Sequence, residues 1–148
     1  MKYEKELKLM RIFSLIGGIG YLSGGVLEIL AGLDMVNLPL IAPDFMGGFT
    51  MIIIGGIYLH GVAAMSKKEI RSLGFPLVAS ILAAAFALLF TLILIANAVE
   101  AYVLLNEDYI GWVIWDDIRP EIYLFPLTLP IITILWKLIM KERIVRIL

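Results

Sequence analysis

The chain has 148 residues, of which 61% are hydrophobic and 17% charged, and its net charge is -1. Apolar content this far above the roughly 45–50% of soluble domains excludes an ordinary globular fold and points to membrane-spanning helices. The absence of cysteine excludes disulfides, thiolate catalysis, haem attachment and Cys-based metal sites.

In residues 1–10, Tyr3, Leu7 and Met10 recur at helical spacing, so a basic leader extends the first helix into the headgroup region. Its apolar run is too long for a signal-peptide core and ends without a small-residue cleavage site, so the segment is expected to be retained. The first spanning helix covers about residues 11–33, and Asn37, Pro39 and Pro43 then form a loop that cannot continue it. A second span covers about residues 45–65. The connection over residues 66–74 is short and basic, and Pro76 falls in the first turn of the third helix, where proline is tolerated. That helix, about residues 75–105, is about ten residues longer than a perpendicular crossing needs, so it tilts or protrudes.

Between Asn106 and Pro120, acids alternate with Tyr109, Trp112 and Trp115 at spacings of three. This is the composition of an amphipathic helix lying in the membrane interface with its aromatics at headgroup level. A fourth span over about residues 121–140 carries Pro126 and Pro130, which should bend it. The expected fold is all-α, a polytopic membrane bundle of four transmembrane helices in a single domain over residues 1–148, with the interfacial segment on the outer face.

Charge sets the expected sidedness. Lys2, Lys5, Lys8, Arg11, Lys67, Lys68, Arg71, Lys137, Lys141, Arg143 and Arg146 flank alternate gaps, whereas Asp34, Asp44, Glu107, Asp108, Asp116, Asp117 and Glu121 fill the others beside one base, Arg119. By the positive-inside rule both termini are cytoplasmic, in a multi-pass cell-membrane protein. The asymmetry reads as orientation and implies no nucleic-acid partner.

Helix one carries a repeating seam of Ser14, Gly17, Gly18, Tyr21, Gly24, Gly25, Glu28 and Gly32. Small residues let backbones approach until dispersion holds them, which drives association where lipid offers no hydrophobic gain. Gly47, Gly48, Gly55 and Gly56 echo the pattern in helix two. Whether the seam is used inside the monomer or on a partner is open at this stage.

Glu28 and Glu100 fall within predicted spans, each one to two turns below the outer surface. A carboxylate inside hydrocarbon costs at least about 2.5 kcal/mol, so such groups face the bundle interior and mark ion or proton paths, or find a partner. Asn97 lies one turn from Glu100, Tyr21 shares the seam with Glu28, and Thr128 adds a hydroxyl beside carbonyls freed by the two prolines. The expected site for a cation, proton or ligand is therefore Glu28, Asn97, Glu100, Tyr21 and Thr128. The plainer reading lets the acids reach outer water or pair with Arg119.

His60 is the lone histidine, with no second His and no Cys to complete the roughly four ligands zinc wants. It is read as a packing residue, with a pH gate as the sharper alternative. Ser23 and His60 differ in depth by about 10 Å, too far for a nucleophile–base pair, and no metalloprotease, esterase or phosphate-binding motif occurs. No enzyme, cofactor or metal is expected. The expected role is a non-catalytic helix-packing subunit or scaffold, with a small cation or proton transporter as the alternative. Its expected surroundings are the lipid bilayer and a second copy or another membrane protein.

Overall fold

Proline, glycine and the capping side chains divide the chain into α1 (Lys2–Gly32), α2 (Phe45–Met65), α3 (Gly74–Tyr102), α4 (Pro120–Leu124) and α5 (Leu129–Ile147), with 3-10 turns at Ile70–Leu73, Glu107–Tyr109, Ile114–Asp116 and Phe125–Thr128. The computed structural model describes residues 2–66 and 70–147, and no strand occurs among them. Four stretches are long and apolar enough to cross a membrane: Glu4–Gly32, Phe45–Met65, Gly74–Tyr102 and Pro120–Leu138. The protein is an all-α membrane bundle. Lys67 and Lys68 lie outside the described residues, as do the side chains of Lys2, Arg71, Lys141, Arg143 and Arg146.

Each boundary has a local cause. At the end of α1, Asp34 takes a left-handed φ of 56°, while Met35 N donates to Leu30 O and Asp34 N to Ala31 O, both at 3.0 Å. This paired arrangement satisfies carbonyls that a helix end leaves orphaned. The Asp44 side chain opens α2 by accepting from Met46 N at 3.0 Å and Gly47 N at 2.9 Å, so two orphan amides gain a partner. The leader is continuous with the first span, and α1 is one helix from Lys2 onward.

Two segments differ from the sequence expectation. Residues between α3 and α4 form two single 3-10 turns rather than a helix, because Gly111 between them takes φ +85°, a conformation that ends helical propagation and suits glycine. The fourth crossing does more than bend. Pro126 and Pro130 lack the amides an α register needs, so Phe125–Thr128 tightens into a 3-10 turn between α4 and α5.

The α1–α2 contact organises the bundle. A Cβ on Gly25 would stand 2.5 Å from Gly48 O, and one on Gly48 would stand 2.6 Å from Gly25 O. Likewise a Cβ on Gly18 would meet Gly55 O at 3.3 Å, and one on Gly55 would meet Gly18 O at 2.8 Å. The two antiparallel helices thus touch backbone to backbone at two levels, seven residues apart on each. Gly32 extends the approach to the start of α2, where its Cβ would be 3.2 Å from Phe45 N. The sequence left the use of this seam open; in the structure it is spent within the chain.

Gly17 and Gly24 look elsewhere, into the core: a Cβ on Gly17 would stand 3.8 Å from the Tyr58 ring, and one on Gly24 would stand 2.7 Å from Met51 Cε. That core joins Met10, Tyr21, Met51, Ile54, Tyr58, Met65, Ala79, Ala83, Ile131, Leu135 and Leu138. Tyr58 ties α2 to α3 through a 2.8 Å hydrogen bond with Ser80 Oγ. Ile81, Leu88, Leu92 and Ile95 of α3 face outward, as expected of side chains that meet lipid.

Replacing Gly25 or Gly48 by Ala should destabilise the bundle by about 1–3 kcal/mol, the usual effect of forcing a methyl group into a filled contact. Gly56→Ala, where a Cβ meets nothing within 4 Å, should leave thermal unfolding in detergent unchanged or slightly raised. Circular-dichroism melts of the three variants check the contrast.

Candidate intramembrane acidic site

The site begins with a small residue on α1. A Cβ on Gly24 would stand 3.2 Å from Leu124 Cδ1 and 3.7 Å from Pro120 Cβ, so this glycine lets the start of the fourth crossing come against α1. One turn further along α1 is Glu28, 0% exposed. On the other side, Pro120 occupies the first turn of α4, where its missing amide does no harm. This starts the helix just before Glu121, also 0% exposed.

Gly47 completes the recess. A Cβ there would lie 2.7 Å from Glu121 Oε1 and 3.0 Å from Asp44 Oδ2, so the bare first turn of α2 makes room for the Glu121 carboxyl group. The positive end of the α2 dipole faces it. Asp44 accepts from the α2 amides through Oδ1 and from Arg119 Nη1 through Oδ2. The Arg119 guanidinium also sits over the Phe90 ring, 4.6 Å from its centroid, a cation–π placement.

The two glutamates are different. None of their four carboxyl oxygens has a hydrogen-bond partner, and the buried hydroxyl of Tyr21 has none either. Glu121, Asp44 and Arg119 are the charged groups that act on Glu28, Glu121 acts on Tyr21, and both glutamates act on Tyr123. The guanidinium nearby, that of Arg119, is engaged by Asp44. Among the described residues no group of three or more His, Asp or Glu side chains could hold a metal ion.

Of the residues singled out from sequence, the structure places Glu28, Tyr21 and Thr128 in the buried interior. Thr128 Oγ1 donates back to Phe125 O at 2.7 Å within its own turn. Asn97 and Glu100 go elsewhere. Asn97 Nδ2 donates to Asp117 Oδ2 at 2.7 Å, Tyr109 OH donates to Asn97 Oδ1 at 3.2 Å, and Trp112 Nε1 donates to Asp117 Oδ2 at 2.7 Å. Glu100 Oε2 accepts from Asn106 Nδ2 at 3.1 Å. These bonds fasten the loop after α3 to its end. Helices α1 and α3 are not close-packed neighbours, so Glu28 and Glu100 share a depth but not a site.

Arg119 pairs with Asp44 rather than with Glu28 or Glu100. His60 is exposed and stands edge-on to Phe75, with ring centroids 4.6 Å apart. Sequence reasoning left out Glu121 and Asp44, which it counted among rim acids. The run Arg119-Pro120-Glu121 held a signal, since proline at the first helical position commits the next residue to the helix. Which way that residue faces depends on Gly47, a tertiary partner no spacing rule identifies.

A pocket of about 260 Å³ at this end is lined by Ala31, Asp34, Val36, Asn37, Ile41 and Pro43. It reaches α1 one turn beyond Glu28.

Comparison with known proteins bears on most of the chain. Residues 5–138 match the family model described as "MJ0565 integral membrane domain". The "Uncharacterized protein MJ0565" of Methanocaldococcus jannaschii is 30% identical over 110 residues, covering 71% of this chain and 74% of that protein. No solved structure matches the chain.

Proposed function

The chain belongs to the MJ0565 integral membrane domain family, and from that premise we propose that it is a small transport module that takes up a proton or monovalent cation at the buried pair Glu28 and Glu121. One observation carries this reading: two carboxyl groups from different helices, both 0% exposed, with all four oxygens unpartnered. Buried polar groups are satisfied in nearly all native structures, and an ionisable group within a span marks an ion or proton pathway by default. The broken fourth crossing supports it as well. Discontinuous helices next to a buried polar site are a recurrent transporter device, and here the break at Phe125–Thr128 follows one turn after Glu121.

With Gly18 and Gly25 packed against Gly55 and Gly48 within the chain, a scaffold would have to receive its partner on another face. A homo-oligomer would then form through the outward faces, among them that of α3, where Ile81, Leu88, Leu92 and Ile95 are exposed. The protein sits in the cell membrane with both termini cytoplasmic, and the acidic cluster lies toward the outer surface. The alternating placement of Lys and Arg supports this orientation.

Since the chain has no cysteine, single cysteines introduced at residues 5 and 108 report sidedness cleanly. An impermeant maleimide should label residue 108 on intact cells and residue 5 only after lysis; the reverse pattern overturns the orientation. In proteoliposomes, a gradient of protons, sodium or potassium should drive flux through the wild-type protein. Glu28→Gln and Glu121→Gln should each reduce it by at least about a hundredfold, the scale of losing a positioned proton-transfer group. Flux unchanged in both variants removes the acid pair from the function.

A further inference from the structure

Among the described residues, the buried side-chain polar atoms that lack a hydrogen-bond partner are Glu6 Oε2, Ser14 Oγ, Tyr21 OH, both carboxyl oxygens of Glu28 and both of Glu121. They form a line. The first four residues belong to α1 at steps of eight, seven and seven, which at about 100° per residue confines them to an arc of about 80° on one side of the helix. From Glu6 to Glu28 the helix rises about 33 Å, the thickness of a hydrocarbon core of about 30 Å. The orphaned groups therefore run along most of the crossing, from the headgroup level at Glu6 to Glu28 below the outer surface, on the face that α1 turns to the bundle.

Other hydroxyls fill the middle. Tyr21 and Tyr58 have ring centroids 6.1 Å apart, and the Tyr58 hydroxyl shares a buried 2.8 Å hydrogen bond with Ser80 Oγ. Side chains on a helix lean toward its N-terminus, so the Tyr21 hydroxyl reaches down toward the level of Ser14. Carboxyl groups stand at the two ends, and hydroxyls occupy the centre.

We propose that this line is a proton path through the bundle and that the proton is the ion carried, an inference that rests on reading Glu28 and Glu121 as an ion site. The chemistry of the centre selects the ion. A metal cation stripped of water needs several oxygen ligands at each resting place; Ser14 and Tyr21 each offer a single hydroxyl, and those of Tyr58 and Ser80 are bonded to each other and, through Ser80, to Pro76 O. A hydroxyl both donates and accepts. It takes a proton on its lone pair and releases its own on the far side, with O–H bonds alone made and broken and nothing oxidised. Steps of about 10–12 Å along the helix exceed one hydrogen bond, so bridging waters complete the file, each needing two to four polar partners.

Arg119 has a role in keeping the entrance open. Around the glutamate pair stand Asp44 and Gly47 of α2 and Arg119 ahead of α4. Arg119 is the cation that would otherwise neutralise the pair. Its engagement by Asp44 and its seat over Phe90 hold it away from permanent pairing with Glu28 or Glu121.

The test uses the full chain in proteoliposomes with a trapped pH-sensitive dye, a potassium diffusion potential to drive protons, and parallel assays of sodium and potassium flux. Wild type should move protons, and more slowly in heavy water. Tyr21→Phe, Ser14→Ala and Glu6→Gln should each lower the rate by at least about tenfold, whereas Glu100→Gln should match wild type. Circular-dichroism melts establish that each variant folds. Should Ser14→Ala fail to fold, Ser14→Thr restores a hydroxyl and should conduct.

If Tyr21→Phe and Ser14→Ala conduct as wild type while Glu28→Gln does not, the path is overturned and the acid pair stands. Sodium or potassium flux without proton flux overturns the choice of ion alone. No movement of any of the three ions overturns both readings.

Discussion

Everything in this bundle depends on how closely α1 and α2 approach. Between lipid tails, two apolar helices gain nothing from excluding water, so contact must come from dispersion and from backbones near enough to touch. Facing glycines at two levels provide that nearness. Once α2 lies along α1, the first turn of α2 stands level with the end of α1. Asp44 and Gly47 are then within reach of whatever occupies the next position around the bundle.

That position is filled by the start of the fourth crossing, admitted by a second set of small residues. Gly24 receives Pro120 and Leu124, and Gly47 leaves room for Glu121. A side chain at either position would displace α4 and separate the carboxyl groups. Packing glycines and the polar site are thus parts of one device: the close approach that stabilises the helices also buries Glu28 and Glu121 away from water. Lipid supplies no compensating partner for a buried polar group, so the orphaned oxygens along α1 mark where the structure departs from what packing alone would choose.

Much of the fold was legible in the sequence. Spans followed from runs of apolar residues, the loops from Pro39, Pro43 and the acidic gap, and the disturbed fourth helix from Pro126 and Pro130. The loop after α3 was misread as helical because Tyr109, Trp112 and Trp115 have a spacing that helices and 3-10 turns share; Gly111 decided between them. The site was half legible. Glu28 stood out because it interrupts an apolar run, while Glu121 was hidden at a boundary where an acid is ordinary. Pairing Glu28 with Glu100 assumed that equal depth means proximity. In a bundle, depth fixes height alone, and helix neighbours fix the rest.

The central claim is that Glu28 is coupled to Glu121 and not to Glu100. A double-mutant cycle on thermal unfolding in detergent tests it directly, using Glu28→Gln, Glu121→Gln, Glu100→Gln and the paired variants. The account predicts a coupling of about 1 kcal/mol or more between residues 28 and 121, and additivity within about 0.5 kcal/mol between 28 and 100. Additive effects at 28 and 121, or strong coupling between 28 and 100, would contradict it.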